Sequence, residues 1–241
     1  MIPYDCFHLP ASCSVNKTIF KKLFYENGDL SPADKALFTE KVNKITWLYC
    51  LKPATINVQP YKDEVREYLE IEFLEVVLFA DTKIKRIAEI VMRTIPYPMV
   101  LLFRLDDKVQ LWMAHQKISQ NDKNKNTLED FIYTDWLNLD DSLFDRLDIK
   151  KMRFTNYFTL YSDLVDVISI YHAECMTGAV ADLSGEQARQ LVSELAVLEQ
   201  RLSNHRTSLK KETQFNRKME LHIKIKQLDV AKNKLLQGGQ P

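Results

Sequence analysis

Glycine is scarce in this chain, with five in 241 residues. None of the five belongs to a glycine-rich loop ahead of a helix, which sets aside the phosphate-cradling loops of nucleotide-binding proteins. Cysteine is rarer still, at four. Cys6, Cys13, Cys50 and Cys175 follow no spacing of a disulfide framework, the pattern of a reduced, cytoplasmic chain. Long apolar runs are missing as well. No window reaches the ~18 uninterrupted apolar residues of a membrane span, and the stretch from Pro98 to Phe103 has the length of a buried strand. The opening Met1-Ile2-Pro3-Tyr4-Asp5 lacks the basic and then apolar run of a signal peptide. Contact with a membrane is therefore not expected.

An excess of one charge is also absent, since 33 Lys+Arg balance 33 Asp+Glu. The distribution is uneven all the same. Residues 184–241 hold 11 Lys/Arg against 6 Asp/Glu, so the rest of the chain is net acidic. An acidic body with a basic tail points to nucleic acid or an acidic partner. The hydrophobic share, 46%, is that of an ordinary globular protein.

Ser31-Pro32 opens a helix, with serine as N-cap, proline at the first helical position and Asp34 in the first turn. Phe38, Val42, Ile45 and Tyr49 continue at steps of three and four, which predicts that the helix runs on towards Pro53. Thr55 to Val58 reads as a short strand. Leu69, Ile71 and Phe73 alternate with Glu70 and Glu72, the pattern of a half-buried strand whose glutamates face water. Asp81 or Thr82 caps a helix carrying Ile84, Ile87, Val91 and Ile95, stopped by Pro96. Met99 to Leu105 is apolar on both faces and reads as a central strand. Asp106-Asp107-Lys108 turns it into a hairpin running from Val109 to Ile118. Ser119 to Asn126 is a polar loop, and Phe131 to Trp136 a further strand.

From Asp141 the pattern is helical. Phe154, Phe158, Tyr161, Val165, Ile168, His172 and Cys175 mark a core-facing helix, broken between Gly178 and Gly185. Leu191, Leu195, Leu198, Leu202 and Leu209 keep heptad spacing, and Leu221, Ile225, Leu228 and Leu235 resume it after an interruption at Lys210 to Asn216. A continuous helix from Gln190 to Leu236 would extend roughly 70 Å. So polar a helix must self-associate, fold back as a hairpin or dock on a partner, and a homodimer is the favoured outcome. The fold class is α+β: a small mixed β-sheet with packed helices, followed by a long C-terminal helical, coiled-coil-like segment. Its parts are an α+β body over 1–140, a long core-packed helix over 141–178, and a basic amphipathic segment over 184–236.

The candidate chemistry is sparse. Cys6-x-His8 with Cys13 hints at zinc, but paired ligand spacings are missing and Cys50 would have to be recruited from a helix. No metal or other cofactor is therefore expected, and the chain should fold without one. His172 and Cys175, one turn apart on an apolar face, read as a core histidine beside a buried cysteine rather than a nucleophile pair. A metal-dependent nuclease core would need an acidic residue near one strand and a Glu-x-Lys-like pair on the next. Asp106 and Asp107 sit in a turn, and His115-Gln116-Lys117 offers no carboxylate in the required slot. No catalytic residue is assigned, and a divergent nuclease stays as the alternative reading. The strongest signal is the cluster Lys210, Lys211, Arg217, Lys218, Lys224 and Lys226, the electrostatic footprint of a phosphate-contacting helix. A solvated coiled-coil face explains it equally well.

Several segments read together carry a family resemblance. They are Leu9-Pro10-x-x-x-Ser14-Val15-Asn16-Lys17, Lys21-Lys22-Leu23-Phe24-Tyr25-Glu26, and Lys44-Ile45-Thr46-Trp47-Leu48-Tyr49 followed by Leu51-x-Pro53-x-Thr55-Ile56-Asn57. Ala88-x-x-Val91, Ile95-Pro96-Tyr97-Pro98 and Lys211-Glu212-x-Gln214-Phe215-Asn216-Arg217-Lys218 extend it. The chain resembles the bacterial and archaeal family catalogued as domain of unknown function 4391. That resemblance implies an accessory protein of restriction-like, phage-defence gene clusters, with a helicase or DNA methyltransferase subunit as its partner. It supplies no catalytic motif to carry over. Trp47, Tyr49 and Asn57 match the family pattern but have a sufficient structural reading.

Overall fold

The computed structural model describes residues 4–119, 126–178 and 183–237. Strand β1 (Ser14–Ile19) precedes helices α1 (Lys21–Asn27) and α2 (Pro32–Lys41), and β2 (Val42–Leu51) follows at once. Short strands β3 (Tyr61–Lys62) and β4 (Glu67–Tyr68) pair with each other before β5 (Ile71–Leu78). Helix α3 (Ile84–Thr94) crosses to β6 (Met99–Leu105), which turns into β7 (Lys108–Met113). Strands β8 (Gln116–Ile118) and β9 (Asn126–Leu128) form a second small ribbon. Strands β10 (Ile132–Tyr133) and β11 (Leu137–Asn138) both lie against β7. Helices α4 (Leu143–Arg146), α5 (Tyr157–Thr177), α6 (Gly185–Lys211) and α7 (Phe215–Leu236) complete the order.

The main sheet runs β1-β2-β5-β6-β7-β10. Neighbours are antiparallel except β5 and β6, which are parallel because α3 carries the chain back across the sheet. The α+β reading therefore holds at the level of a mixed sheet with packed helices. On one face Leu74, Val76, Leu101 and Phe103 pack against Ile87 and Val91 of α3, with Phe24 and Phe38 of α1 and α2. On the other, the buried Tyr161 of α5 bonds the backbone at Met99, the first residue of β6, and at Ala114, just past the end of β7. The chain divides into two compact units, Met1–Ile168 and Ser169–Pro241.

Several expectations need correction. The Ser31 cap and its box with Asp34 are present, but α2 stops at Lys41 and Val42–Leu51 is a strand, not more helix. Val42, Ile45, Thr46, Trp47 and Tyr49 are β-branched or aromatic, and β2 lies between β1 and β5. A strand covered on both faces loses its alternation, so a chance three-and-four spacing imitates a helix. Thr55 to Val58 is a turn rather than a strand, closed by Thr55 N–H on the Lys52 carbonyl at 2.8 Å. Neither Asp81 nor Thr82 caps α3; Lys83 takes the N-cap place with φ of 53° and no side-chain cap bond. The hairpin strand breaks after Met113, and β8 belongs to a separate ribbon. The long helix begins at Tyr157, leaving Phe154 exposed ahead of it and Cys175 exposed near its end. Its buried stripe is Tyr157, Leu160, Tyr161, Leu164, Val165 and Ile168. Most of the expected polar loop, 120–125, and the middle of the glycine break, 179–182, lie outside the described residues.

In the second unit the 70 Å rod does not form. Glu212 ends α6 in extended backbone, and α7 starts at Phe215. Arg206 pairs with Asp229 at 3.1 Å and Lys232 with Glu199 at 2.7 Å, so α6 and α7 run antiparallel as a hairpin. Leu195 and Leu202 are buried, while α7 has no fully buried residue.

Candidate functional sites

The sequence-nominated basic residues are gathered by the hairpin turn. Lys210 and Lys211 close α6, and Arg217 and Lys218 lie in the first turn of α7. The antiparallel register puts Lys224 and Lys226 level with the end of α6. Lys218 is half-buried, the other five are exposed, and among the described residues no ion pair holds any of the six. Lysines at the C-terminus of α6 suit its dipole. Arg217 and Lys218 do not suit theirs, because a helix N-terminus already carries about half a positive charge. Their local counterweight is Glu212, whose carboxylate accepts from the Thr213 and Gln214 N–H groups at 2.8 and 2.9 Å. Those two bonds lower the Glu212 carboxyl, with Arg217 and Lys218 adding to the effect.

The other sequence candidates stay apart. His8 Nδ1 lies 3.2 Å from Asp148 Oδ2, and the buried Cys13 thiol lies 3.7 Å from the Thr55 carbonyl. Burial pushes the Cys6 thiol up to about 12. Asp106 and Asp107 form the β6–β7 turn, Asp106 with φ of 52°. Beside Lys117 stands Glu129, at 2.5 Å, and Arg66 binds the same carboxylate at 2.9 and 3.1 Å. That carboxylate is neutralised twice over. Among the described residues, the convergence of acidic groups that the nuclease reading requires is not found beside Lys117.

One cluster escaped the sequence reading. Cys50 on β2 is the direct cross-strand partner of Glu72 on β5, so both side chains leave the same face. Glu70, two residues before Glu72, returns to that face by the period of a strand. The thiol and both carboxylates lie within 4.8 Å of one another. Glu72 is 3% exposed, which overturns the expectation that it faces water. Its Oε2 accepts from Trp47 Nε1 at 2.5 Å, and Cys50 Sγ lies 3.8 Å from Glu70 Oε2. Burial raises the Glu72 carboxyl to about 7, opposed by the Trp47 bond and reinforced by Glu70. Burial, then the two carboxylates, also raises the Cys50 thiol.

The remaining buried carboxylates are handled differently. Asp34 holds Arg86 in a two-pronged pair at 2.8 and 2.9 Å. Glu75 accepts from Arg104 Nε at 2.8 Å and from the Tyr4 hydroxyl at 2.5 Å. Among the described residues, neither Glu70 nor Glu72 has a Lys or Arg within ion-pair distance. The only signal in the sequence was Glu70-x-Glu72 inside an apolar run, and the alternation rule assigned it to solvent.

The fold is a mixed α/β sheet followed by a basic helical hairpin. By sequence, residues 7–231 match the family model described as domain of unknown function (DUF4391), and the chain belongs to that family. No curated protein and no solved structure gave a significant match. No helix among the described residues is long and apolar enough to cross a membrane.

Proposed function

We propose that this protein is a non-enzymatic accessory subunit of a restriction-like phage-defence system that grips nucleic-acid backbone with the tip of its C-terminal helical hairpin. The observation that carries this reading is the meeting of Lys210, Lys211, Arg217 and Lys218 across a single turn, with no carboxylate among the described residues within ion-pair distance. Arg217 and Lys218 work against the dipole of their own helix, so their place is better explained by an outside anion than by stability. The body supplies the docking surface for a helicase or DNA methyltransferase subunit. A second copy of the chain is the other partner this reading admits. Lysine reads charge and not base edges, and Phe215, 74% exposed, is the one Phe, Tyr or Trp of α7. Binding is therefore sequence-tolerant and steeply salt-dependent.

Fluorescence anisotropy with duplexes of unrelated sequence, at several salt concentrations, tests the reading. Replacing Lys210, Lys211, Arg217 and Lys218 together by glutamine lowers affinity and flattens the salt slope by up to about 3 to 4, at ~0.9 for each phosphate no longer neutralised. Equal binding by wild type and variant removes the tip as a nucleic-acid site.

A further inference from the structure

We infer that Cys50, Glu70 and Glu72 form a binding site for one divalent transition-metal ion, with the Tyr157 hydroxyl as an adjacent polar group that steadies it. The first ground is charge. Among the described residues the other buried carboxylates, Asp34 and Glu75, each face a guanidinium, whereas Glu72 faces Glu70, a thiol and the neutral Trp47 N–H. A buried carboxylate pressed against a half-buried one is costly to ionise without a cation, and a bound divalent ion supplies what Arg86 and Arg104 supply elsewhere.

The second ground is independent of the cluster. Tyr157, at the start of α5, is fully buried, and among the described residues its hydroxyl has no hydrogen-bond partner. A buried phenol left unsatisfied forfeits its hydration and gains no bond in return. Burial raises this phenol, and the neighbouring titratable groups that add to the effect are Cys13, Cys50 and Glu70, which places it at this end of the sheet. Its backbone is anchored there, Tyr157 N–H donating to the Gln59 carbonyl at 3.0 Å. A carboxylate turned onto a metal, or a water held by one, gives the hydroxyl its missing partner.

The donor set selects the ion. One thiolate and two carboxylates suit zinc, cobalt or ferrous iron, and the thiolate argues against magnesium and calcium. Tetrahedral bonds of ~2.0 to 2.3 Å separate ligand atoms by roughly 3.5 Å. Cys50 Sγ and Glu70 Oε2, at 3.8 Å, are already near that separation, and the full cluster at 4.8 Å needs to contract by about 1 Å. Binding releases the thiol proton and any proton held between the carboxylates. Glu70, half-buried, is the side from which an ion enters.

The test is titration of the full chain with Zn²⁺ by calorimetry and with Co²⁺ by absorption. One equivalent should bind, with a thiolate-to-cobalt charge-transfer band. Cys50→Ser should abolish the band, and Glu72→Gln and Glu70→Gln should weaken binding at least 10-fold. Tyr157→Phe should weaken it about 10-fold, the usual scale for an outer-shell partner, with no fall in the melting temperature of the metal-free protein. Cys175→Ser, at an exposed thiol, should bind as wild type does. If Cys50→Ser fails to fold, Glu70→Gln at the half-buried ligand still decides the matter. No stoichiometric binding, binding untouched by Glu70→Gln and Glu72→Gln, or loss in Cys175→Ser would each overturn the site.

Discussion

Replacing Asp34 by alanine should destabilise the protein by about 2 to 3 kcal/mol at neutral pH, because one carboxylate does two jobs. It accepts from the Ser31 hydroxyl at 2.8 Å and Ser31 N–H at 3.2 Å, closing the capping box that starts α2. It also receives Arg86 Nε and Nη2 at 2.8 and 2.9 Å, tying α2 to α3. The cap contributes about 1 kcal/mol. A charge-assisted bidentate pair contributes about 1.5 to 3 kcal/mol where both groups are dry. Here the Asp34 side chain is 10% exposed but Arg86 is 43% exposed and keeps Glu89 at 2.9 Å, so the lower end applies. The pH dependence has a definite sign. Arg86, against the opposing effect of burial and helped by Ser31, holds the Asp34 carboxyl well below the usual carboxylate range. A depressed folded-state value gives stability that is present above the unfolded value of ~3.9 and lost as pH falls further. Urea unfolding followed by circular dichroism, with unchanged slope, reads the difference at pH 7 and again near pH 3. A loss below about 0.5 kcal/mol at pH 7, or a gap that widens in acid, refutes the reasoning.

Two further substitutions test the fold that positions the sites. Tyr161→Phe removes a buried hydroxyl that donates to the Met99 carbonyl at 2.9 Å and accepts from Ala114 N–H at 3.1 Å. It should cost about 1 to 3 kcal/mol in chemical denaturation, and a neutral result would mean that water or a shift replaces those bonds. Asp106→Val places a β-branched residue at a φ of 52° in the β6–β7 turn and should cost about 1 to 2 kcal/mol. Asp106→Gly should be neutral or slightly stabilising, and equal behaviour of the two variants would show that the turn tolerates another geometry.

Residues carrying local, strong signals were legible from the chain itself. Ser31, Pro32 and Asp34 specified a helix start because capping is decided within four residues. Ile84, Ile87 and Val91 marked α3, and the apolar run Met99–Leu105 marked β6, because burial of one face or of both writes directly into composition. The basic cluster from Lys210 to Lys226 and the interruption between its halves were also legible, and so was the family.

Tertiary structure decided what depends on partners distant in sequence. Val42–Leu51 became a strand because β1 and β5 offer it ladders on both sides, a fact absent from its own spacing. Glu72 went inside because Cys50, 22 positions earlier, is its cross-strand neighbour and Trp47 donates to its carboxylate. Alternation within β5 could not reveal this, since period two says which residues share a face and never which face is wet. The same limit applied to the tail: heptad leucines require a partner surface but do not say whose. Antiparallel pairing of α6 with α7 supplies part of that surface within the chain, and brings Lys210 and Lys211 together with Arg217 and Lys218.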